Sequence, residues 1–180
     1  MHWFAFIILA IVMLTVQAAC APGLEIHGIR PDFLLVVVVF LGLYANETDA
    51  VIAAWSLGFC ADLMTIERMG LLSLSYALAA MMVTSVREYL FRSSWITQFA
   101  LTAAVVLLIH TIWMLYRRLV HRPFDSALGT WTTGCLLLSV YTAAWAPLVH
   151  SGLLRFSRLL GIAPPGHTSA GSHTREGAHV

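Results

Sequence analysis

The chain contains no lysine; all ten of its basic residues are arginine. Charge of either sign is scarce, at 11% of residues, against about 25% in a soluble domain. That leaves too little polar surface to coat a water-soluble globule. A net charge of +1 with no dense basic patch also excludes a phosphate-backbone partner such as nucleic acid. Cysteine is sparse too. Cys20, Cys60 and Cys135 are odd in number, widely separated and set in apolar runs, so neither a disulfide framework nor a zinc site is indicated. All three read as small buried hydrophobes. A Walker loop, a dinucleotide fingerprint and an H-E-x-x-H pair are absent, and no serine or threonine falls in a nucleophile elbow or beside a plausible His-Asp pair. No cofactor, metal or catalytic residue is expected.

What the chain has instead is apolar length. Hydrophobic residues make up 59% and the mean hydropathy is +0.83. Lipid is therefore the solvent, and each spanning helix needs about 20 mostly apolar residues. Six apolar runs predict an all-α integral membrane protein with about six transmembrane helices. The first is Trp3 to Ala21. A cleaved signal peptide is the alternative, since Ala19-Cys20-Ala21 suits a cleavage site, but no basic residue precedes the run and Pro22 follows it. The second, Phe33 to Ala45, has only thirteen residues and a β-branched centre, Val36 to Val39. A lone strand in lipid would leave backbone groups unpaired, so this run must be a helix, tilted, partly re-entrant or shielded by its neighbours. Asn46 to Asp49 reads as a polar turn with N-cap chemistry. The third span is Ala50 to about Met64 and the fourth Leu71 to about Val86. The fifth is Trp95 to Tyr116, closed by Arg117 and Arg118. The sixth is about Leu128 to Val149, with Trp131, Tyr141 and Trp145 as candidate interface anchors. Residues 1–160 form the membrane domain. Residues 161–180, rich in Gly, Ser and His, cannot bury a core and read as a disordered tail; His167, His173 and His179 there belong to a solvated segment more simply than to a metal site. With six spans and the N-terminus inside, five arginines fall on each side, so charge does not set the orientation.

Two ionisable residues fall inside spans. Ala50, Ala54 and Gly58 recur every four residues, with Ala61 on the same side, and a second helix can approach so small a stripe closely. Asp62 lies on that face. A carboxylate near the end of a span must face protein or water. It is either an ion or proton ligand or, the simpler reading, a helix-end acceptor for the next connector, near Gly70. One acid without a second acid or a paired base is not a relay. His110, in mid-span, could pair with Asp62 or bond a carbonyl of a neighbouring helix; neutral packing is the simpler role.

From Arg30 to about Arg92 the chain resembles the MreD family of rod shape-determining proteins. The resemblance rests on Arg30-Pro31-Asp32 leading into the apolar second run. It continues with Gly58-Phe59-Cys60-Ala61-Asp62-Leu63, a gap, Gly70-Leu71-Leu72-Ser73-Leu74-Ser75-Tyr76, and then Arg87 to Arg92. Arg122-Pro123 and Trp145-Ala146-Pro147 give a weaker echo. The resemblance implies a multi-pass protein of the bacterial inner membrane with both termini cytoplasmic. It implies a six-helix fold like the substrate-binding S component of energy-coupling factor transporters. It also implies a non-enzymatic part in cell elongation and peptidoglycan synthesis, through MreC and, beyond it, RodA, a class B penicillin-binding protein and MreB. Arg30, Pro31, Asp32, Gly58, Asp62, Gly70, Tyr76 and His110 are the structural or interaction candidates. The sequence departs from the family in lacking basic residues before the first span and in its tail. The alternative is a vitamin-uptake S component, which requires a polar pocket that the short connectors, poor in aromatic and amide groups, do not promise.

Overall fold

The computed structural model describes residues 2–20, 22–25, 29–64, 70–87, 95–120 and 128–156, with the side chains of 117–120 and 128–131 excepted. It contains six helices: α1 (Trp3–Cys20), α2 (Phe33–Tyr44), α3 (Glu47–Leu63), α4 (Leu71–Val86), α5 (Trp95–Val120) and α6 (Leu128–Phe156). The 161–180 tail, Glu67-Arg68, Arg92 and Arg122-Pro123 lie outside the described residues.

The fold is organised around its shortest helix. All 12 residues of α2 are buried, with α1, α3, α4, α5 and α6 packed around it. Twelve residues rise about 18 Å, well short of a hydrocarbon core about 30 Å thick. The run Val36–Val39 is thus the core of the bundle. Its backbone is satisfied within the helix and its branched side chains are held by neighbours on every side. Phe33 meets Trp145 edge-on, with centroids 5.8 Å apart, and further along both helices Phe40 meets His150 at 5.5 Å, so α2 and α6 run in the same direction. Trp145, expected as an interface anchor, is thereby turned inward. The Tyr141 hydroxyl donates to the Leu24 carbonyl at 3.0 Å, and Trp131 belongs to the side chains that are not described.

The tightest pairing is α3 on α4. Ala50, Ala54, Gly58 and Ala61 are all buried, while Ile52, Trp55, Phe59 and Leu63 project outward. A Cβ on Gly58 would lie 2.5 Å from the Ser73 Cα and 2.8 Å from both the Leu72 O and the Ser73 N. The two backbones touch, which only a residue without a side chain permits.

Three boundaries differ from expectation. The polar segment Glu47–Asp49 is the first turn of α3 rather than a loop, where its acidic side chains complement the helix dipole. Helix α5 continues through Arg117 and Arg118 to Val120, and α6 runs on to Phe156 through Pro147. Three segments are long and apolar enough to cross a membrane, Trp3–Cys20, Trp95–Tyr116 and Thr132–Phe156, and α2 and α4 are shorter apolar helices. The cysteines are free, Cys20 exposed and Cys60 and Cys135 half-buried, so the expectation of three buried thiols fails. The cause for Cys20 is that α1 is the least enclosed helix, burying mainly Phe6 and Leu14.

Candidate functional site: a buried polar frame

Two carboxylates hold the bundle together at the N-terminal end of α2 and α4. Asp62 is 1% exposed. One of its oxygens accepts the backbone N–H groups of Gly70 and Ser73, each at 3.0 Å, and the other accepts the N–H of Leu72 at 3.1 Å. These are first-turn donors of α4, which have no partner within their own helix. The carboxylate supplies one and also opposes the positive end of the helix dipole. No side chain of α4 can do this, because Gly70 stands at the N-cap position with φ of 99°, a left-handed conformation that glycine adopts freely. The Ser73 hydroxyl closes the turn by donating to the Gly70 carbonyl at 2.9 Å.

Asp32 performs the same task for α2 and more. As N-cap it accepts the Leu35 N–H at 3.0 Å. It also accepts the hydroxyl of buried Tyr76, at 3.1 and 3.3 Å to its two oxygens, and its own N–H donates to the Thr142 hydroxyl at 3.2 Å. Gln17 of α1 completes the end of the helix. Its side-chain oxygen takes the Phe33 N–H at 2.8 Å and its nitrogen donates to the Pro31 carbonyl at 3.2 Å. Since Tyr76 follows Ser73 by one turn of α4, a single frame ties α1, α2, α3, α4 and α6 together. The opposite end of α2 is held by the Arg87 guanidinium, which donates to the Ala45 carbonyl, a cation where the dipole favours one. Beside it Gln98 donates to the Tyr44 hydroxyl at 3.2 Å.

Asp32, Gly58, Asp62, Gly70 and Tyr76 are therefore brought to one end of the bundle, and Pro31 is buried beside them. Arg30 is not part of the frame. It projects outward and pairs with Glu25 at 2.5 Å, with side chains 59% and 33% exposed, a geometry worth at most about 1 kcal/mol. His110 departs from both expected partners. Its Nδ1 lies 2.9 Å from the Val106 carbonyl of its own helix, because side chains on a helix point back over the preceding turn. Sequence reasoning missed His150, which is fully buried with Nε2 3.3 Å from the Val36 carbonyl, and it passed over Gln17 and Thr142. Among the described residues, no group of three or more His, Cys, Asp or Glu is placed to hold a metal ion. Chemically the frame positions helices. Its acids accept backbone and hydroxyl donors within the fold, and Asp62 and Tyr76 are closed to solvent.

A bundle of apolar helices fastened by internal carboxylates, with helices long enough to cross a bilayer, defines an all-helical membrane protein. Residues 1–149 match the family model described as rod shape-determining protein MreD. The chain belongs to that family, whose role is in determining cell shape and which is a structural component, not a known enzyme family. No curated protein and no solved structure matches the chain.

Proposed function

We propose that this protein is a non-enzymatic scaffold of the bacterial elongation machinery, seated in the inner membrane, with all six helices contributing to the membrane domain and both termini cytoplasmic. It acts by binding another membrane protein, an MreC-like partner first, and through it RodA, a class B penicillin-binding protein and MreB. The observation that carries this reading is the family match over residues 1–149. The polar frame supports it: a scaffold needs helices fixed relative to one another, and here the carboxylates that could do chemistry are engaged in fixing them. The likeness to the S-component fold enters on the same footing. It rests on the six helices alone.

Depletion tests the reading directly. Loss of the protein rounds or widens the cells, and affinity purification from membranes recovers the MreC homologue. Normal cell shape together with lost vitamin uptake would transfer the assignment to a transporter component.

A further inference from the structure

The outer surface has a cleft where the first turns of α5 meet α6. Trp95, Ile96 and Phe99 of α5 and Ala144 and Pro147 of α6 line a volume of about 320 Å³. The lining is almost wholly apolar, and Trp95 and Ile96 are 72% and 71% exposed at its rim. Ala144 also begins a stripe along α6. Leu148, Ser151 and Arg155 follow at spacings of four, three and four residues, and all four are exposed. Such spacings place them on one face. The stripe thus runs from an apolar cleft to a cation.

Arg155 is two turns beyond Pro147, about 12 Å along the axis. Its Cα–Cβ bond is tilted back toward the α6 N-terminus, as in any helix, on the exposed face that it shares with Ser151, Leu148 and Ala144. Among the described residues Arg155 has no ion-pair partner. Arg87 shares this end of the bundle but is committed to the Ala45 carbonyl. Among the described residues, the acids at this end, Glu47 and Asp49, belong to α3, which packs on α1, α2 and α4. Trp95 supplies the amphipathic ring that favours the level of the headgroups.

We propose that this face is a binding site for one anionic phospholipid, with an acyl chain in the Ala144–Pro147 cleft and the headgroup phosphate on Arg155. Charge complementarity selects the occupant. An apolar cleft alone would accept any chain, but a cation two turns above it favours a lipid whose headgroup carries net negative charge. This inference is independent of the proposed role in elongation.

Native mass spectrometry of the full chain in detergent, titrated with phosphatidylglycerol or with phosphatidylcholine of identical chains, tests it. The wild type retains phosphatidylglycerol in preference. Arg155→Gln weakens phosphatidylglycerol binding about fivefold, the factor expected for one basic residue at an anionic headgroup, and weakens phosphatidylcholine less, because its choline cation offsets the same phosphate. Ala144→Phe, which fills the cleft from an exposed position, weakens both lipids. Equal binding of the two lipids by the wild type, or an undiminished preference in Arg155→Gln, overturns the proposal. So does a dimer that Ala144→Phe dissolves without altering lipid binding, since the cleft would then belong to a second copy.

Discussion

Replacing Gly58 by alanine adds a single methyl group, and its consequences can be worked out from the contact between α3 and α4. The new Cβ would stand 2.5 Å from the Ser73 Cα and 2.8 Å from the Leu72 O and Ser73 N. These are backbone atoms, so no rotamer change relieves the overlap, and the helices must part by about 1 Å to restore normal contact. Overpacking of this kind costs about 1–3 kcal/mol. The same displacement pulls the Ser73 N–H away from Asp62, to which it is bonded at 3.0 Å, and loss of a hydrogen bond to a charged group costs about 1.5–3 kcal/mol. Alanine returns about 1 kcal/mol through its higher helix propensity. The net loss is about 1.5–5 kcal/mol, or roughly 4–15 °C in melting temperature for a chain of this size. Gly134→Ala is the matched control. It lies within α6, and a Cβ there meets nothing within 4 Å, so only the propensity gain remains. Thermal unfolding of the detergent-purified proteins compares them. A Gly58→Ala melt within about 2 °C of Gly134→Ala would refute the close approach of the two backbones.

Asp62→Leu leaves the Gly70, Leu72 and Ser73 N–H groups without their shared acceptor and lowers stability by at least about 3 kcal/mol; Asp62→Asn, which keeps one acceptor oxygen, falls between it and the wild type in the same melting assay. Tyr76→Phe removes only the hydroxyl donor to Asp32 and costs about 1.5–3 kcal/mol, with no change in helix content by circular dichroism. Gln17→Leu frees the α1 end of the frame, and a cysteine placed at buried Leu14 then reacts faster with a maleimide than it does beside Gln17. His110→Leu changes melting by less than about 0.5 kcal/mol, since its ring bonds only a carbonyl of its own turn among the described partners; a large loss would show that the ring holds a second helix.

The helices themselves were legible because lipid removes the ambiguity of short apolar runs. Val36–Val39 looks like a strand on propensity alone, and only the need to satisfy backbone groups in lipid makes it a helix. The small-residue face of α3 was equally readable, since Ala50, Ala54 and Gly58 keep a strict four-residue spacing. That Asp62 would need an acceptor's role near the start of α4 followed from the cost of an exposed carboxylate in an apolar run. Helix ends were less legible. Glu47, Thr48 and Asp49 are polar enough to read as a turn, yet acidic residues also suit a first helical turn. His150 was hidden by ending α6 at Val149, one residue too early to see that it faces α2. The linkage of Asp32 to Tyr76 and Thr142 could not be read at all. It spans separations of 44 and 110 residues in sequence, and nothing local in the chain encodes which distant hydroxyl or amide will meet a given acid.

The enclosure of α2 has a consequence for biosynthesis. This helix leaves the ribosome second, but Thr142, which takes the Asp32 N–H, follows 110 residues later. At a synthesis rate of about 5–20 residues per second, α2 waits about 5–20 s for that partner. It is too short to cross the bilayer unaided. Gln17, Tyr76 and Arg87 are made earlier and can hold its ends, but throughout that interval the face that packs on α6 is open to whatever the insertion machinery provides. A chain truncated before α6 should therefore be recognised as incomplete, with its most hydrophobic helix as the mark that membrane proteases read.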